Sequence, residues 1–75
     1  MSSNAVSYDQ STDSLYVKIR PGASVRQRYD DARDVIIDLG ADGEPVGYDI
    51  QFASQHADVI AEALALLQNY SRVAA

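Results

Sequence analysis

Apolar and polar residues alternate with a period of two through most of the first fifty positions, and the period then changes. At 5–8, Val6 and Tyr8 share one side, which reads as a short first strand. The run Asp9-Gln10-Ser11-Thr12-Asp13-Ser14 collects side chains that hydrogen-bond their own backbone, so a turn follows. At 15–20, Leu15, Val17 and Ile19 oppose Tyr16, Lys18 and Arg20, the mark of a half-buried strand. Pro21-Gly22-Ala23-Ser24 supplies a second turn. The next strand, 25–29, is expected to send Val25, Gln27 and Tyr29 inward and Arg26 and Arg28 outward. After Asp30-Asp31-Ala32-Arg33, the stretch 34–39 places Val35, Ile37 and Leu39 on one face and Ile36 and Asp38 on the other. Gly40-Ala41-Asp42-Gly43 then predicts a hairpin in which both Asp42 and Gly43 adopt unusual φ. The return strand, 45–52, carries Val46, Tyr48, Ile50 and Phe52 inward, with Pro45 at its start where a missing N–H does least harm.

From His56 the spacing becomes helical. Ile60, Ala63, Leu64 and Leu67 fall at i, i+3, i+4 and i+7. Ser54 is the expected N-cap, Asp58 sits near the positive helix end, and the helix is predicted over 55–69. Val59, Leu66 and Tyr70 lie on the adjoining flank and widen the apolar arc to roughly 160° at about 100° per residue. These elements predict an α+β fold: an antiparallel β-meander of four to five strands with one C-terminal helix packed on one face. One domain spans 1–75, with 1–4 and 71–75 as loose ends and no internal repeat between them.

Composition narrows the function. Seventy-five residues, 47% of them apolar, make one globular domain. The absence of cysteine excludes disulfides and thiolate metal sites, and a single histidine excludes a histidine cage. A net charge of −5 disfavours broad contact with a phosphate backbone. No apolar run approaches the ~20 residues of a membrane span. Met1 to Asn4 show neither the basic nor the apolar region of a signal peptide, so a cytoplasmic setting is expected.

The order of residues resembles a known bacterial family. Tyr8-Asp9, three residues, Asp13, one residue, Leu15-Tyr16-Val17, one residue, Ile19 is similar to the opening of the family known as domain of unknown function 2283. Asp34-Val35-Ile36-Ile37-Asp38, then Asp42-Gly43, then Val46-Gly47-Tyr48-Asp49-Ile50 resembles its second half. Tyr48 and Asp49 stand where the family pattern has a branched aliphatic and a glutamate, and the helix extends past the resemblance. The likeness implies a small β-rich bacterial protein and a structural role for Tyr8, Asp9, Asp13, Leu15, Tyr16, Asp38, Asp42, Gly43 and Gly47. It implies no catalytic residue. Small partner proteins of toxin–antitoxin type are the company it suggests.

Candidate chemistry is sparse. Asp9, Asp13, Asp30, Asp31 and Asp34 flank two turns and supply hard oxygen donors for Ca²⁺ or Mg²⁺, but no ligand-loop spacing is present, and turn chemistry is the stronger reading. For Asp9 and Asp13 that means an Asx-turn setting the first hairpin. Asp38 and Asp49 are mid-strand and outward, where cross-strand pairing with Lys18, Arg20, Arg26 or Arg28 is expected. Those four basic residues share a parity; with Tyr16 they form a conceivable stripe for single-stranded nucleic acid, which the acidic net charge opposes. Ser54, His56 and Asp58 do not face one another at i, i+2 spacing, and capping is their expected role. Tyr8, Tyr29 and Tyr48 have core parity. No glycine run forms a phosphate loop.

No catalytic, cofactor or metal site is therefore expected. The reading that follows is a non-enzymatic interaction module that works as a homodimer, or with another small protein, through Val59, Leu66 and Tyr70. A metal-dependent enzyme or ligand carrier using the acidic turns, and a nucleic-acid accessory using the arginine stripe, are the alternatives. Small domains without staples commonly gain stability from a second subunit.

Overall fold

The computed structural model describes residues 5–74. Five strands form one antiparallel sheet: β1 (Val6–Asp9), β2 (Ser14–Lys18), β3 (Arg26–Asp30), β4 (Val35–Leu39) and β5 (Pro45–Ile50). A single 3-10 turn at Ala53–Gln55 leads into the helix α1 (Ala57–Ala74). The α+β class and the five antiparallel strands match the sequence expectation.

The order within the sheet does not follow the chain. It runs β1-β2-β5-β4-β3, so β5 is central and β2 pairs with β5 rather than with β3. The segment around Pro21-Gly22 is thus a crossing to the far edge, not a hairpin. Two hairpins, β1–β2 and β3–β4, flank β5, and each gives its second strand to it. Leu15 and Val35 both oppose Ile50, and Val17 and Ile37 both oppose Tyr48.

These hairpins are internal copies of one pattern, a repeat the linear reading missed. Tyr8-Asp9, three residues, Asp13 returns as Tyr29-Asp30, three residues, Asp34, and the pairing returns with it: Asp9 opposes Ser14 as Asp30 opposes Val35. Because the copies stand on opposite sides of β5 with β2 and β4 running the same way, an approximate two-fold axis along β5 relates them. Such an axis exchanges the two faces of the sheet. Tyr8 therefore lies on the helix-covered face, opposite the buried Leu15, while Tyr29 lies on the open face, opposite Ile36. The expected parity of β3 is reversed: Arg26 and Arg28 share the helix-covered face, and Gln27 and Tyr29 do not.

Leu15, Val17, Ile19, Val35, Ile37, Leu39, Val46, Tyr48 and Ile50 make the sheet side of the core. Between β4 and β5, Gly43 takes φ 83° and donates its N–H to Gly40 (2.9 Å), while Asp42 stays at ordinary φ. This is a three-residue loop rather than the two-residue turn expected. The register slips where Leu39 opposes Pro45 and Asp38 opposes Gly47, leaving Val46 as a bulge.

The helix settles differently from its i, i+3, i+4 reading. Val59 and Ala63 are fully buried against β2 and β5, with Ile60, Leu64, Leu66 and Leu67 half-buried around them. Val59 and Leu66, expected on a free flank, belong to the packed side. Only a broad arc is legible from spacing; which edge of it meets the sheet is fixed by the segment that launches the helix. That segment begins with Phe52 at φ 52°, exposed rather than inward, followed by the 3-10 turn. Ser54 lies in that turn, and the helix starts after His56, whose carbonyl accepts the Ile60 N–H at 3.1 Å. Among the described residues, no helix is long and apolar enough to cross a membrane.

Candidate functional site

Four sets of polar groups organise the molecule: two clasps at one end of the sheet, a junction at Glu62 on the helix-covered face, a hydrogen-bonded network on the open face, and a ring of contacts around Arg20 at the other end. The clasps come from the repeated turns. Asp13 and Asp34 each close a turn in the left-handed region, at φ 53° and 54°. Aspartate tolerates that region better than most residues because its short side chain bonds locally. Both then hold the segment after β5. The Asp13 carbonyl accepts the Ala53 N–H (2.8 Å), and its carboxylate accepts the Ser54 N–H (3.1 Å), the Ser54 hydroxyl (2.6 Å) and the Tyr8 hydroxyl (2.8 Å). The Asp34 carbonyl accepts the Gln51 N–H (2.8 Å), and its carboxylate meets His56 Nε2 at 3.0 Å.

Asp9 and Asp30 are engaged as well. Asp9 accepts the Ser11 N–H (3.0 Å) and hydroxyl (2.7 Å), an Asx-turn. Asp30 pairs with Arg33 at 2.8 Å. Hydrogen bonding from Ser54 and Tyr8 holds the Asp13 carboxyl below the ordinary range, and bonds from Ser11 do the same for Asp9. Asp31 is exposed. Among the described residues, no group of three or more His, Cys, Asp or Glu is placed to hold a metal ion. The geometry of these acids is that of turn closure.

On the helix-covered face, Glu62 is the junction. It accepts from Arg33 (2.8 Å) and from the Tyr48 hydroxyl (2.6 Å). Burial, then that bond, pushes the Tyr48 phenol up to about 12. Tyr48 thus ties α1 to the central strand.

The open face gathers most of the motif residues. Tyr16 lies flat across β5 because position 47 is glycine; a Cβ there would fall on the Tyr16 hydroxyl. That hydroxyl donates to Asp38 (3.0 Å), which also accepts from Gln27 Nε2 (2.9 Å), and Tyr29 donates to Gln27 (3.1 Å). Burial and Asp38 push the Tyr16 phenol up to about 12. Asp49 accepts from Gln51 (2.8 Å), and its carboxyl is raised, first by burial and then by the Asp38 charge. Neither Asp38 nor Asp49 forms the expected ion pairs. Arg26 and Arg28 are on the other face, Lys18 Nζ donates to the Gly22 carbonyl (3.1 Å), and Arg20 is taken by the β4–β5 loop. The four basic residues therefore make no single stripe.

Arg20 staples that loop. It donates to Asp42 (2.6 Å), the Pro45 carbonyl (3.1 Å) and the Glu44 carbonyl (3.2 Å). Around it open three shallow grooves. One, of about 230 Å³, is walled by Ile19, Pro45, Leu66, Tyr70 and Val73; a second shares Tyr70 and adds Leu67 and Pro21. At 1.5 Å per residue α1 is about 27 Å long, against about 17–20 Å for a five- to six-residue strand. The last helical turns outrun the sheet, which leaves Tyr70 36% and Val73 77% exposed. Of the three flank residues expected at an interface, Val59 is core, Leu66 is half-buried at the groove, and Tyr70 is on the surface. Val73 was missed, because 71–75 is expected as a loose end although the helix continues to Ala74.

No curated protein and no solved structure matches the chain. Residues 5–54, which hold both hairpins, β5, the Asp13 clasp and the Tyr16–Gly47–Asp38 network, match the model of a family described as a protein of unknown function (DUF2283), and the chain belongs to that family.

Proposed function

We propose that the chain is a small non-enzymatic protein–protein interaction module, acting as a self-associating unit or as the partner of another small protein. The overhanging end of α1 carries this reading. Tyr70 and Val73 project past the sheet and wall an apolar groove with Ile19, Pro45 and Leu66. Exposed apolar groups that none of the described residues covers favour a protein contact. Four of the turn carboxylates, the strongest rival as a site of chemistry, are already committed: Asp9 and Asp30 within their turns, Asp13 and Asp34 to the segment 51–56.

Light scattering across the high-micromolar range tests it. The wild type is expected above monomer mass, and Val73→Glu and Tyr70→Glu to lower that mass while far-UV circular dichroism stays unchanged. A wild-type monomer that both variants leave unaltered contradicts self-association through the helix end. Leu66→Glu is the wrong probe, because Leu66 packs on the core and its loss disturbs the fold.

A further inference from the structure

The register of the central strands makes the open face self-complementary. Lys18, Gly47 and Asp38 stand at one level across β2, β5 and β4, and Tyr16, Asp49 and Ile36 stand at the next. All six belong to the open face, with Gly47 and Asp49 on the middle strand. We infer that two copies of the chain stack these faces on each other about a two-fold axis running along β5.

Rotation about such an axis places β2 of one copy over β4 of the other without changing level. Each Lys18 then meets the Asp38 of the second copy, and the two Tyr16 rings, each lying across Gly47, meet on the axis. Two opposite-charge contacts and one aromatic pair form at once, which is the reciprocity a two-fold interface demands. Lys18 uses one of its three donors on the Gly22 carbonyl and keeps two for a carboxylate. Aligned stacking at about 10 Å is the ordinary geometry of paired sheets. Gly47 lies on the axis, where the flat Tyr16 ring keeps the face low.

One contact opposes the assembly. Asp49 also lies on the axis and meets its own copy, and its carboxyl is already raised by burial and by Asp38. The face measures about 24 by 17 Å, a footprint of about 400 Å² per copy. That is small for a protein interface, so the contact is weak and reversible. This surface is separate from the helix end, and either contact can exist without the other.

Charge exchange tests the proposal. In the paired faces, Lys18→Asp puts four acids at the level shared by Lys18 and Asp38; Asp38→Lys puts four bases there. Each variant alone is expected to fall below the wild-type mass by light scattering at high micromolar concentration. An equimolar mixture restores both opposite-charge contacts and is expected to recover the wild-type mass. Asp49→Asn removes the repulsion on the axis and should tighten association at least several-fold. Circular dichroism checks each fold; if Asp38→Lys fails to fold, Lys18→Asp and Asp49→Asn still decide. A mass unchanged in Lys18→Asp, or no gain in Asp49→Asn, overturns the stacked-face contact even where the helix-end variants change mass. A wild-type monomer at every concentration overturns both contacts.

Discussion

The two hairpins of the sheet share a pattern and a turn geometry, yet they present opposite sides to the same helix. In β1–β2, Tyr8 is on the helix-covered face and Asp9 turns outward into its Asx bonds. In β3–β4, Tyr29 is on the open face, and Asp30 is on the covered face beside Arg33, which in turn reaches Glu62 of α1. The difference teaches that a hairpin does not choose its own inside. The central strand does, by accepting one hairpin on each of its edges.

The shared part of the pattern is what does not depend on facing. Asp13 and Asp34 lie in the turns, at the pseudo-axis end of the sheet, and both bond the segment that leaves β5. The variable part is what does: Leu15 and its counterpart Ile36 are respectively buried in the core and half-exposed on the open face.

Gly47→Ala is expected to break the arrangement most severely. Its Cβ meets the Tyr16 hydroxyl, so Tyr16 must leave Asp38 or β5 must shift. Overpacking of this kind costs about 1–3 kcal/mol. Chemical denaturation of Gly47→Ala and of Gly47→Ala/Tyr16→Ala separates the causes: the second change should recover part of the loss. Equal stability of wild type and Gly47→Ala contradicts the close approach.

A smaller effect compares the clasps directly. Asp13→Ala should lower the melting temperature more than Asp34→Ala, since Asp13 serves Tyr8 and both donors of Ser54, and Asp34 serves His56 alone. The Asp13 carboxyl is held below its ordinary value of 3.8. A depressed folded-state value gives stability that is present above the unfolded value and lost as pH falls through the folded one. The gap between wild type and Asp13→Ala should thus be full at neutral pH and close below about pH 4. A gap that widens on acidification reverses the assigned sign.

Much of the fold is legible in the chain because β2, β4 and β5 are half-buried and alternate strictly. Each position in Leu15, Val17, Ile19 and in Val35, Ile37, Leu39 has one apolar face to declare. The parity of β3 was not legible: Arg26, Gln27, Arg28 and Tyr29 are all exposed on an edge, so both alternations cost nearly the same. Strand order escaped because Pro21-Gly22 is as good a crossing as a hairpin turn. Tyr16, Asp38 and Gly47 were recognisable as motif residues, but the reason for Gly47 was not, since it lies in the Tyr16 ring one strand away. The helix interface was half legible. Its apolar arc shows in the spacing, whereas its rotation is set by Phe52 and the two clasps.

Strand pairing is the most direct test of the claim that one hairpin pattern is used twice, on opposite edges of β5. Cross-strand nuclear Overhauser effects in solution report it. The account expects them between Val17 and Tyr48 and between Ile37 and Tyr48, with Arg28 opposite Ile37 and none joining 15–20 to 25–29. Effects linking 15–20 directly to 25–29 would restore a sequential meander and contradict the account.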